Sequence, residues 1–321
     1  MTRQFSRILV TGALGQIGSE LTEELRVRYG RDNVVASDIR SGEKGNGVTE
    51  GGPWELLDVT DGAAVGEMIG DMGIDAVFHM AAILSATGEK NPQLCWKVNM
   101  DGTMNILEAG RAHGVSRIII PSSIAAFGPE TPRDGTPQET VLKPRTMYGV
   151  TKVSGELVCD YYVRKYGLDV RGLRYPGIIS SETLPGGGTT DYAVDIYYKA
   201  VQDGRYTCFV REDTMLPMMY MPDCIKATMD LAEADFDSLV HHSDFNVGAL
   251  SVTAADIADS IKKHIPDFQV DYRPDYRQDI ADTWPMSVDD TAAREEWGWE
   301  PEWDLESMTA DMLEKLRSKL L

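Results

Sequence analysis

Short apolar runs alternate with longer segments of mixed polarity through the first half of the chain. The runs predicted as β-strands span residues 7–10, 33–37, 54–59, 75–82 and 117–120. Residues 93–113 show helical spacing and end at Gly114, which suits a helix C-cap, whereas the glycine-rich residues 42–52 predict a loop. This alternation predicts an α/β fold with a doubly wound parallel sheet and right-handed crossovers.

The pattern is less regular beyond residue 174. Helices are predicted at 189–203, 254–264 and 305–320, a strand at 244–247, and a break in regular structure at 282–285. We therefore expect a first domain over residues 1–173, to which 213–250 returns. A smaller, interleaved C-terminal lobe occupies most of 174–321.

A glycine-rich turn follows the first strand. Gly12 lets the chain turn sharply, Gly15 lets the backbone approach a phosphate closely, and Gly18 lets the next helix pack against the strand. That helix begins near Gln16 and Ile17, so its free N–H groups and positive dipole end face the turn. The turn predicts a Rossmann-type pyrophosphate site in the first domain. The C-terminal lobe is therefore expected to bind the substrate.

The second strand ends at Asp38, about twenty residues after the last glycine of the turn. A carboxylate there can accept hydrogen bonds from an adenosine ribose, which favours NAD as the cofactor. Arg40 is the one feature that weakens this preference, because a nearby guanidinium can accommodate the 2′-phosphate of NADP. The fourth strand runs into Ala81 and Ala82, whose small side chains let a flat ring lie close to the backbone.

The composition narrows the function further. The chain has 321 residues and a formal net charge of −20, a field that repels nucleic acid and anionic membranes. Four widely spaced cysteines form neither a metal-binding pattern nor a disulfide framework, which indicates reduced thiols in a cytoplasmic protein. No metal site and no leader segment are expected, and no apolar run reaches membrane-spanning length.

Tyr148 and Lys152 are four residues apart, so on a helix they lie on one face. A cation beside the phenol lowers its pKa, and the positive ring of an oxidised nicotinamide lowers it further. Tyr148 is therefore predicted to act as a general base. Ser123 follows the strand at 117–120 and is predicted to hold the reacting oxygen.

These motifs together resemble the extended branch of the short-chain dehydrogenase/reductase superfamily, which includes the nucleotide-sugar epimerases. The glycine turn matches its G-x-x-G-x-x-G spacing, and Asn99 begins a segment that matches its N-x-x-G-T helix. The resemblance implies that Asp58 and Val59 contact the adenine, that Asn99 belongs to the cofactor site, and that Tyr175 and Pro176 pass beside the nicotinamide. It also implies that Ser123, Tyr148 and Lys152 are catalytic, that Lys152 contacts the nicotinamide ribose, and that the protein is a homodimer.

Within that branch, three segments of the chain resemble the short-chain type of L-threonine 3-dehydrogenases. They are residues 79–86, residues 173–179 with 185–192, and residues 282–285. The resemblance implies an amino-acid pocket formed by Ser85, Gly188, Thr189, Thr190 and Trp284, together with Ser123 and Tyr148. The hydroxyls and the backbone N–H groups of the glycine turn at 186–188 can supply donors for a carboxylate. The expected reaction is oxidation of the 3-hydroxyl of L-threonine to 2-amino-3-ketobutyrate.

Two other functions share part of this pattern. A nucleotide-sugar epimerase or dehydratase carries the same motifs up to Lys152, but a dehydratase of this branch needs acidic residues after its catalytic hydroxyl, where this chain has Ile124 and Ala125. Arg205 and Arg211 are the cations of the lobe that could hold a second diphosphate. A non-enzymatic dinucleotide sensor is the third possibility, although such a protein has no need of the Tyr148–Lys152 pair.

Overall fold

The computed structural model describes residues 5–42, 46–184 and 186–321. Its strands are β1 (Ile8–Thr11), β2 (Val34–Asp38), β3 (Trp54–Leu56), β4 (Ala76–His79), β5 (Arg117–Ile119), β6 (Ser122–Ser123), β7 (Val170–Arg171), β8 (Leu173–Tyr175), β9 (Gly177–Ile179), β10 (Arg205–Cys208), β11 (Met215–Tyr220), β12 (Phe245–Asn246), β13 (Leu250–Thr253) and β14 (Gln269–Tyr272). Its α-helices are α1 (Gln16–Tyr29), α2 (Gly47–Glu50), α3 (Gly62–Asp71), α4 (Ser85–Lys90), α5 (Pro92–Trp96), α6 (Gly102–His113), α7 (Met147–Tyr166), α8 (Tyr192–Asp203), α9 (Met221–Glu233), α10 (Ala254–His264), α11 (Tyr276–Ala281), α12 (Thr291–Trp297) and α13 (Leu305–Leu320).

The central sheet has the strand order β3-β2-β1-β4-β5-β7, and neighbouring strands are parallel. Successive side chains of β1 point to opposite faces: Ile8 and Val10 pack with Leu21 of α1, whereas Leu9 packs with Ile106 of α6. Both faces are therefore covered by helices, which explains why β1 is apolar throughout. The doubly wound Rossmann fold predicted from the sequence is confirmed.

The C-terminal half builds smaller sheets beside this core. The strand orders are β13-β11-β9, β12-β8-β6 and β10-β14. Helices α8, α10 and α13 surround one apolar cluster there, and Tyr148 of the catalytic candidates belongs to the same cluster. Helix α9 instead packs with α1 on one face of the central sheet. Residues of the first and second halves of the chain thus share one apolar cluster.

Several predicted elements differ in detail from the structure. Residues 42–52 are not all loop, because the side chain of Asn46 caps the short helix α2 by accepting hydrogen bonds from Val48 and Thr49. The helix predicted at 189–203 begins only at Tyr192, the strand at 244–247 is limited to β12, and the strand at 54–59 ends at Leu56.

The stretch predicted as one helix at 93–113 is not a regular α-helix throughout. Residues Lys97–Asp101 form a π-helical turn between α5 and α6. Such turns inside α-helices are frequent at functional sites. The predicted C-cap, Gly114, adopts the left-handed conformation, as expected for that position.

No helix in the described ranges is long and apolar enough to cross a membrane.

Candidate active site

The glycine turn between β1 and α1 leaves no room for side chains. A Cβ on Gly12, whose φ is +66°, would lie 2.6 Å from the backbone nitrogen of Ala81. A Cβ on Gly18 would lie 2.2 Å from the carbonyl oxygen of Gly12, and one on Gly15 would lie 3.1 Å from the same oxygen. The turn therefore brings bare backbone to the carboxyl ends of β1 and β4, where dinucleotides bind in this fold.

The start of α1 is suited to a phosphate. Its N-cap, Gly15, has no side chain to satisfy the first N–H groups of the helix, so these donors and the helix dipole can act on an anion. The side-chain nitrogen of Gln16 is buried and has no hydrogen-bond partner among the described residues. Ile17 packs against the apolar core and fixes the helix in place. The cradle and the unpaired Gln16 nitrogen both fit a bound dinucleotide.

Asp38 lies at the end of β2 beside this turn, with its carboxylate 3.1 Å from the backbone nitrogen of Leu14, which donates to it. Arg40 also donates to Asp38 from its backbone nitrogen, Nε and Nη2, each at 3.0 Å. Burial raises the pKa of Asp38, but these hydrogen bonds outweigh it, so the pKa lies below its ordinary value. The carboxylate is ionised and able to accept a ribose hydroxyl, and it also holds the guanidinium.

Asp58 and Val59, which are expected to contact the adenine, and Asn99 of the expected cofactor site differ in their surroundings. Asp58 is exposed and accepts hydrogen bonds from the backbone and hydroxyl of Thr60, whereas Val59 is buried. Asn99 forms hydrogen bonds with the backbone of Ile83, both as donor at 3.1 Å and as acceptor at 2.8 Å, and donates to Thr151 Oγ1 at 3.0 Å. Asn99 thus ties the loop after β4 to α7, a role that its sequence motif did not reveal.

Tyr148 lies in the first turn of α7. Thr146 caps that helix by accepting a hydrogen bond from the backbone of Gly149 at 3.0 Å, which fixes the position of the tyrosine. The phenol is buried and forms a hydrogen bond with Ser123, the last residue of β6. Burial raises the pKa of Tyr148 to about 12, against the lowering effect of that hydrogen bond.

Lys152 lies one turn further along α7. Its Nζ donates to the carbonyl oxygen of Pro121 at 2.7 Å and is 5.5 Å from the centre of the Tyr148 ring. Burial lowers the pKa of Lys152 to about 8, although Cys159, Glu156 and Cys95 act in the opposite direction. The expected neighbours are therefore together, but the expected low pKa of Tyr148 is wrong for the protein alone, because burial of the phenol dominates.

A buried ion pair supports these residues from behind. Arg174 of β8 donates to both carboxylate oxygens of Glu156 on α7, each at 2.9 Å, and Ser122 donates to the same carboxylate. The parallel pairing of β6 with β8 places Ser123 beside Tyr175. The phenol of Tyr175 is hydrogen-bonded to Thr228 of α9 and points into the core. The side chain of Tyr175 is therefore turned away, which leaves its backbone and the buried Pro176 to line a nicotinamide site.

Two of the predicted substrate residues meet where α4 of the first half contacts the lobe. Ser85 and Thr189 are both buried, and their hydroxyl oxygens are 3.1 Å apart. The backbone nitrogen of Thr189 also donates to Ser85 Oγ at 3.2 Å. Thr190 is half-buried and packs close to Gly177. The first residue of the glycine-rich segment, Pro185, lies outside the described residues.

The backbone N–H groups of the glycine turn at 186–188, expected to bind a substrate carboxylate, instead bind a carboxylate of the protein. The backbone nitrogens of Gly187 and Gly188 donate to the carboxylate of Asp191 at 3.1 and 2.8 Å. These donors are therefore engaged by the protein itself, which argues against their use for a substrate carboxylate in this conformation. Burial raises the pKa of Asp191 to about 6, against the effect of the two N–H groups. In the sequence, this contact is signalled by the position of Asp191, three residues after Gly188.

Trp284 is 4% exposed and belongs to the apolar cluster that contains Tyr148. The side chain of Arg133 donates to its carbonyl oxygen at 3.0 Å. The break predicted at 282–285 follows α11 directly. Trp284 is thus a core aromatic of the lobe.

Comparison with known proteins agrees with this geometry. The model of the NAD-dependent epimerase/dehydratase family matches residues 8–248. The chain belongs to this family. Its cofactor is NAD, consistent with the cradle at Gly12, the free start of α1 and the ionised Asp38.

Two kinds of relative within the family are similar over almost the whole length. A curated relative from Staphylococcus saprophyticus, described as an uncharacterized epimerase/dehydratase, is 49% identical and covers 98% of each chain. The crystal structure of an L-threonine dehydrogenase from Clostridium difficile is 52% identical, with a TM-score of 0.96 over 99% of each chain. A monomeric L-threonine 3-dehydrogenase from a metagenome is 48% identical, with a TM-score of 0.94 over 97% of this chain and 99% of that one.

Proposed function

We propose that this protein oxidises the 3-hydroxyl of L-threonine with NAD as the acceptor, giving 2-amino-3-ketobutyrate. The similar structures described as threonine dehydrogenases support this proposal. The family alone does not separate it from epimerisation or dehydration of a nucleotide sugar, so the argument depends on the residues around Tyr148.

The observation that carries the proposal is the position of α4. At its start, Ser85 meets Thr189 of the lobe. At its end, Glu89 accepts a hydrogen bond from the backbone of Met147 at 2.7 Å, at the first residue of α7. Gly88 between them lies so close to α7 that a Cβ there would be 3.8 Å from the Cβ of Tyr148. One short helix thus runs from the Ser85–Thr189 hydroxyl pair to the start of α7, where Tyr148 lies, a short span that suits a small substrate such as an amino acid.

The proposed chemistry assigns one task to each side chain. Ser123 orients the substrate oxygen, and Tyr148 accepts the proton of the 3-hydroxyl. Lys152, fixed by Pro121, supplies positive charge beside the phenol. When bound, NAD supplies the two-electron acceptor, and its cationic ring favours the tyrosinate that the protein alone disfavours.

Of the two cations that the sequence offers to a second diphosphate, Arg205 is exposed at the start of β10, whereas Arg211 is already paired. Arg211 is paired with Asp282 at 2.8 Å and with Asp213 at 3.3 Å. Arg277 is paired with Asp275 at 2.6 Å and lies over the ring of Phe209. A nucleotide-sugar substrate would have to compete with these carboxylates for Arg211 and Arg277.

The residues after Ser123 also argue against a dehydratase. Ile124 and Ala125 are both buried in the apolar cluster of the lobe. Elimination of water needs an acid and a base close to the sugar carbon atoms, and an apolar pair at this position supplies neither.

The proposal is tested by following NADH formation with L-threonine, D-threonine, L-serine and L-3-hydroxynorvaline, and by incubating the protein with UDP-sugars in parallel. L-threonine should give the largest kcat/KM, and D-threonine should give none above background. Conversion of a UDP-sugar without oxidation of any of the amino acids would contradict the proposal.

We also propose that the protein forms a homodimer through α5 and α7. Val150, Leu157 and Tyr161 project from one side of α7, and the last two are 65% and 53% exposed. Trp96 of the adjacent α5 is also exposed and extends this surface. Because a similar structure is monomeric, light scattering of the wild type and of Leu157→Glu is the test: a dimer that the substitution dissociates is expected, and a monomeric wild type would overturn it.

A further inference from the structure

A small cavity lined by both polar and apolar residues lies beside Lys152. Its volume is about 20 Å³, and its polar lining includes His79, Asn99, Thr103, Ser122, Lys152 and Glu156. A cavity of roughly 10–15 Å³ already accommodates one water molecule when two to four polar groups face it. This cavity therefore has the size and the chemistry of a site for a single water.

His79 is the residue that points to an occupant. It is the last residue of β4 and is 4% exposed, and its Nδ1 is 2.8 Å from the hydroxyl of Thr11. Its Nε2 is buried and finds no hydrogen-bond partner among the described residues. Leaving a buried ring nitrogen unpaired is costly, and the nitrogen belongs to a residue that lines the cavity.

The charge state of His79 limits what it can bind. Burial lowers the pKa of His79 to about 3, and the nearby Lys152 acts in the same direction. The ring is therefore neutral, with one nitrogen as donor and the other as acceptor. If Nδ1–H donates to Thr11, Nε2 is an acceptor, which suits a water that itself accepts from a cation.

Lys152 supplies that cation. Its ammonium has three N–H groups, and one of them donates to the carbonyl oxygen of Pro121 at 2.7 Å. One hydrogen bond leaves the ammonium free to rotate about it, so a second fixed acceptor is needed to aim the third N–H group. Lys152 and His79 line the same cavity, so a water in it can provide this acceptor.

We propose that the cavity holds one ordered water that accepts a hydrogen bond from Lys152 Nζ and donates one to His79 Nε2, which makes His79 a positioning residue for Lys152. The water site is independent of the substrate. The effect of His79 on turnover rests on the proposed function, because it assumes that Lys152 acts on Tyr148 during oxidation of threonine.

A high-resolution crystal structure of the wild-type protein tests the water directly. We expect one well-ordered water within hydrogen-bond distance of both Lys152 Nζ and His79 Nε2. A cavity without water, or a water bonded to only one of the two atoms, would overturn the proposal. This result does not depend on which substrate the protein oxidises.

Two matched substitutions test the positioning role. His79→Gln places a polar atom where Nε2 was and gives up the bond to Thr11, whereas His79→Asn keeps a polar atom at the Nδ1 position and gives up Nε2. We expect His79→Asn to lower kcat roughly tenfold, with the KM for threonine unchanged, because misplacement of a catalytic group reduces turnover. We expect His79→Gln to retain kcat within about twofold of the wild type.

The opposite order, with the Asn variant active and the Gln variant impaired, would show that His79 acts through Thr11 alone and would overturn the positioning role. If the wild-type protein does not oxidise threonine, the proposed function is contradicted. The water site is then decided by the crystal structure alone. If a variant fails to fold, the wild-type crystal structure decides the proposal by itself.

Discussion

The hydroxyl oxygens of Ser85 and Thr189 lie 3.1 Å apart, although 104 residues separate them in the sequence. If this pair binds the carboxylate or ammonium of threonine, Ser85→Ala should raise the KM for threonine at least about tenfold, since a hydrogen bond to a charged group contributes about 1.5 kcal/mol or more. The Kd for NAD should stay unchanged. Steady-state kinetics with threonine and titration with NAD measure both quantities.

Ser19 offers a matched control for this substitution. Its hydroxyl is also 3.1 Å from a threonine hydroxyl of the same loop, that of Thr183, but it lies on α1 and not on α4. Ser19→Ala should leave the KM for threonine within about twofold of the wild type. Equal losses in the two variants would indicate that the loop as a whole, and not the Ser85 hydroxyl, determines substrate affinity.

The bond between Asp38 and Arg40 predicts how the cofactor preference can be changed. Asp38→Ala removes the acceptor for the ribose hydroxyls and releases the guanidinium that now donates to it at 3.0 Å. We expect the KM for NAD to rise roughly tenfold and the use of NADP to improve, because a free Arg can bind the 2′-phosphate. Kinetics with both cofactors measure the change. In Asp38→Ala combined with Arg40→Ala, the gain with NADP should disappear, and its persistence would rule out Arg40.

Two helical glycines should respond in opposite directions to alanine. A Cβ on Gly18 would lie 2.2 Å from a backbone oxygen, whereas one on Gly66, in the interior of α3, meets nothing within 4 Å. Gly18→Ala should lower the free energy of unfolding by about 2 kcal/mol or more and weaken NAD binding. Gly66→Ala should raise it by roughly 0.5–1 kcal/mol. Urea denaturation measures both, and a neutral Gly18→Ala would refute the close packing of the turn.

The buried, protonated Lys152 should lower the free energy of unfolding near neutral pH. Its pKa falls from the ordinary 10.5 to about 8 on folding, so the unfolded chain binds the proton more readily. The free energy of unfolding therefore decreases as the pH falls from 10.5 to 8 and is constant below that. Lys152→Met should accordingly stabilise the cofactor-free protein by about 2 kcal/mol at pH 7 while abolishing activity.

The pH dependence is the control for this prediction. The difference in unfolding free energy between Lys152→Met and the wild type should shrink as the pH approaches 10.5, where the wild type regains its stability. Denaturation curves at neutral and alkaline pH give this difference. A variant that is less stable than the wild type at neutral pH would show that the bond to Pro121 outweighs the cost of burying the charge.

The parts of the fold that depend on local pattern were predictable from the sequence. The strand β1, the turn at Gly12 and the C-cap at Gly114 follow from apolar runs and glycine positions, and all three are confirmed. The short helix α2 was missed because its residues favour a loop and only the Asn46 side chain caps it. Local signals thus succeed where one segment determines its own conformation.

Features that require the folded chain were not predictable. The high pKa of Tyr148 arises from burial in a cluster to which both halves of the chain contribute. The capture of the Gly187 and Gly188 amides by Asp191 needs the turn to be formed first. Likewise, the contacts of Asn99 with the Ile83 backbone depend on the packing of two separate segments.

The central claim is that Tyr148 is the base in an NAD-dependent oxidation of L-threonine. The most direct test compares NADH formation from L-threonine by the wild type and by Tyr148→Phe, with NAD affinity measured for both. We predict that the substitution lowers kcat at least roughly a hundredfold, the scale of general base catalysis, and leaves NAD binding intact. Threonine oxidation at the wild-type rate by Tyr148→Phe would contradict the account.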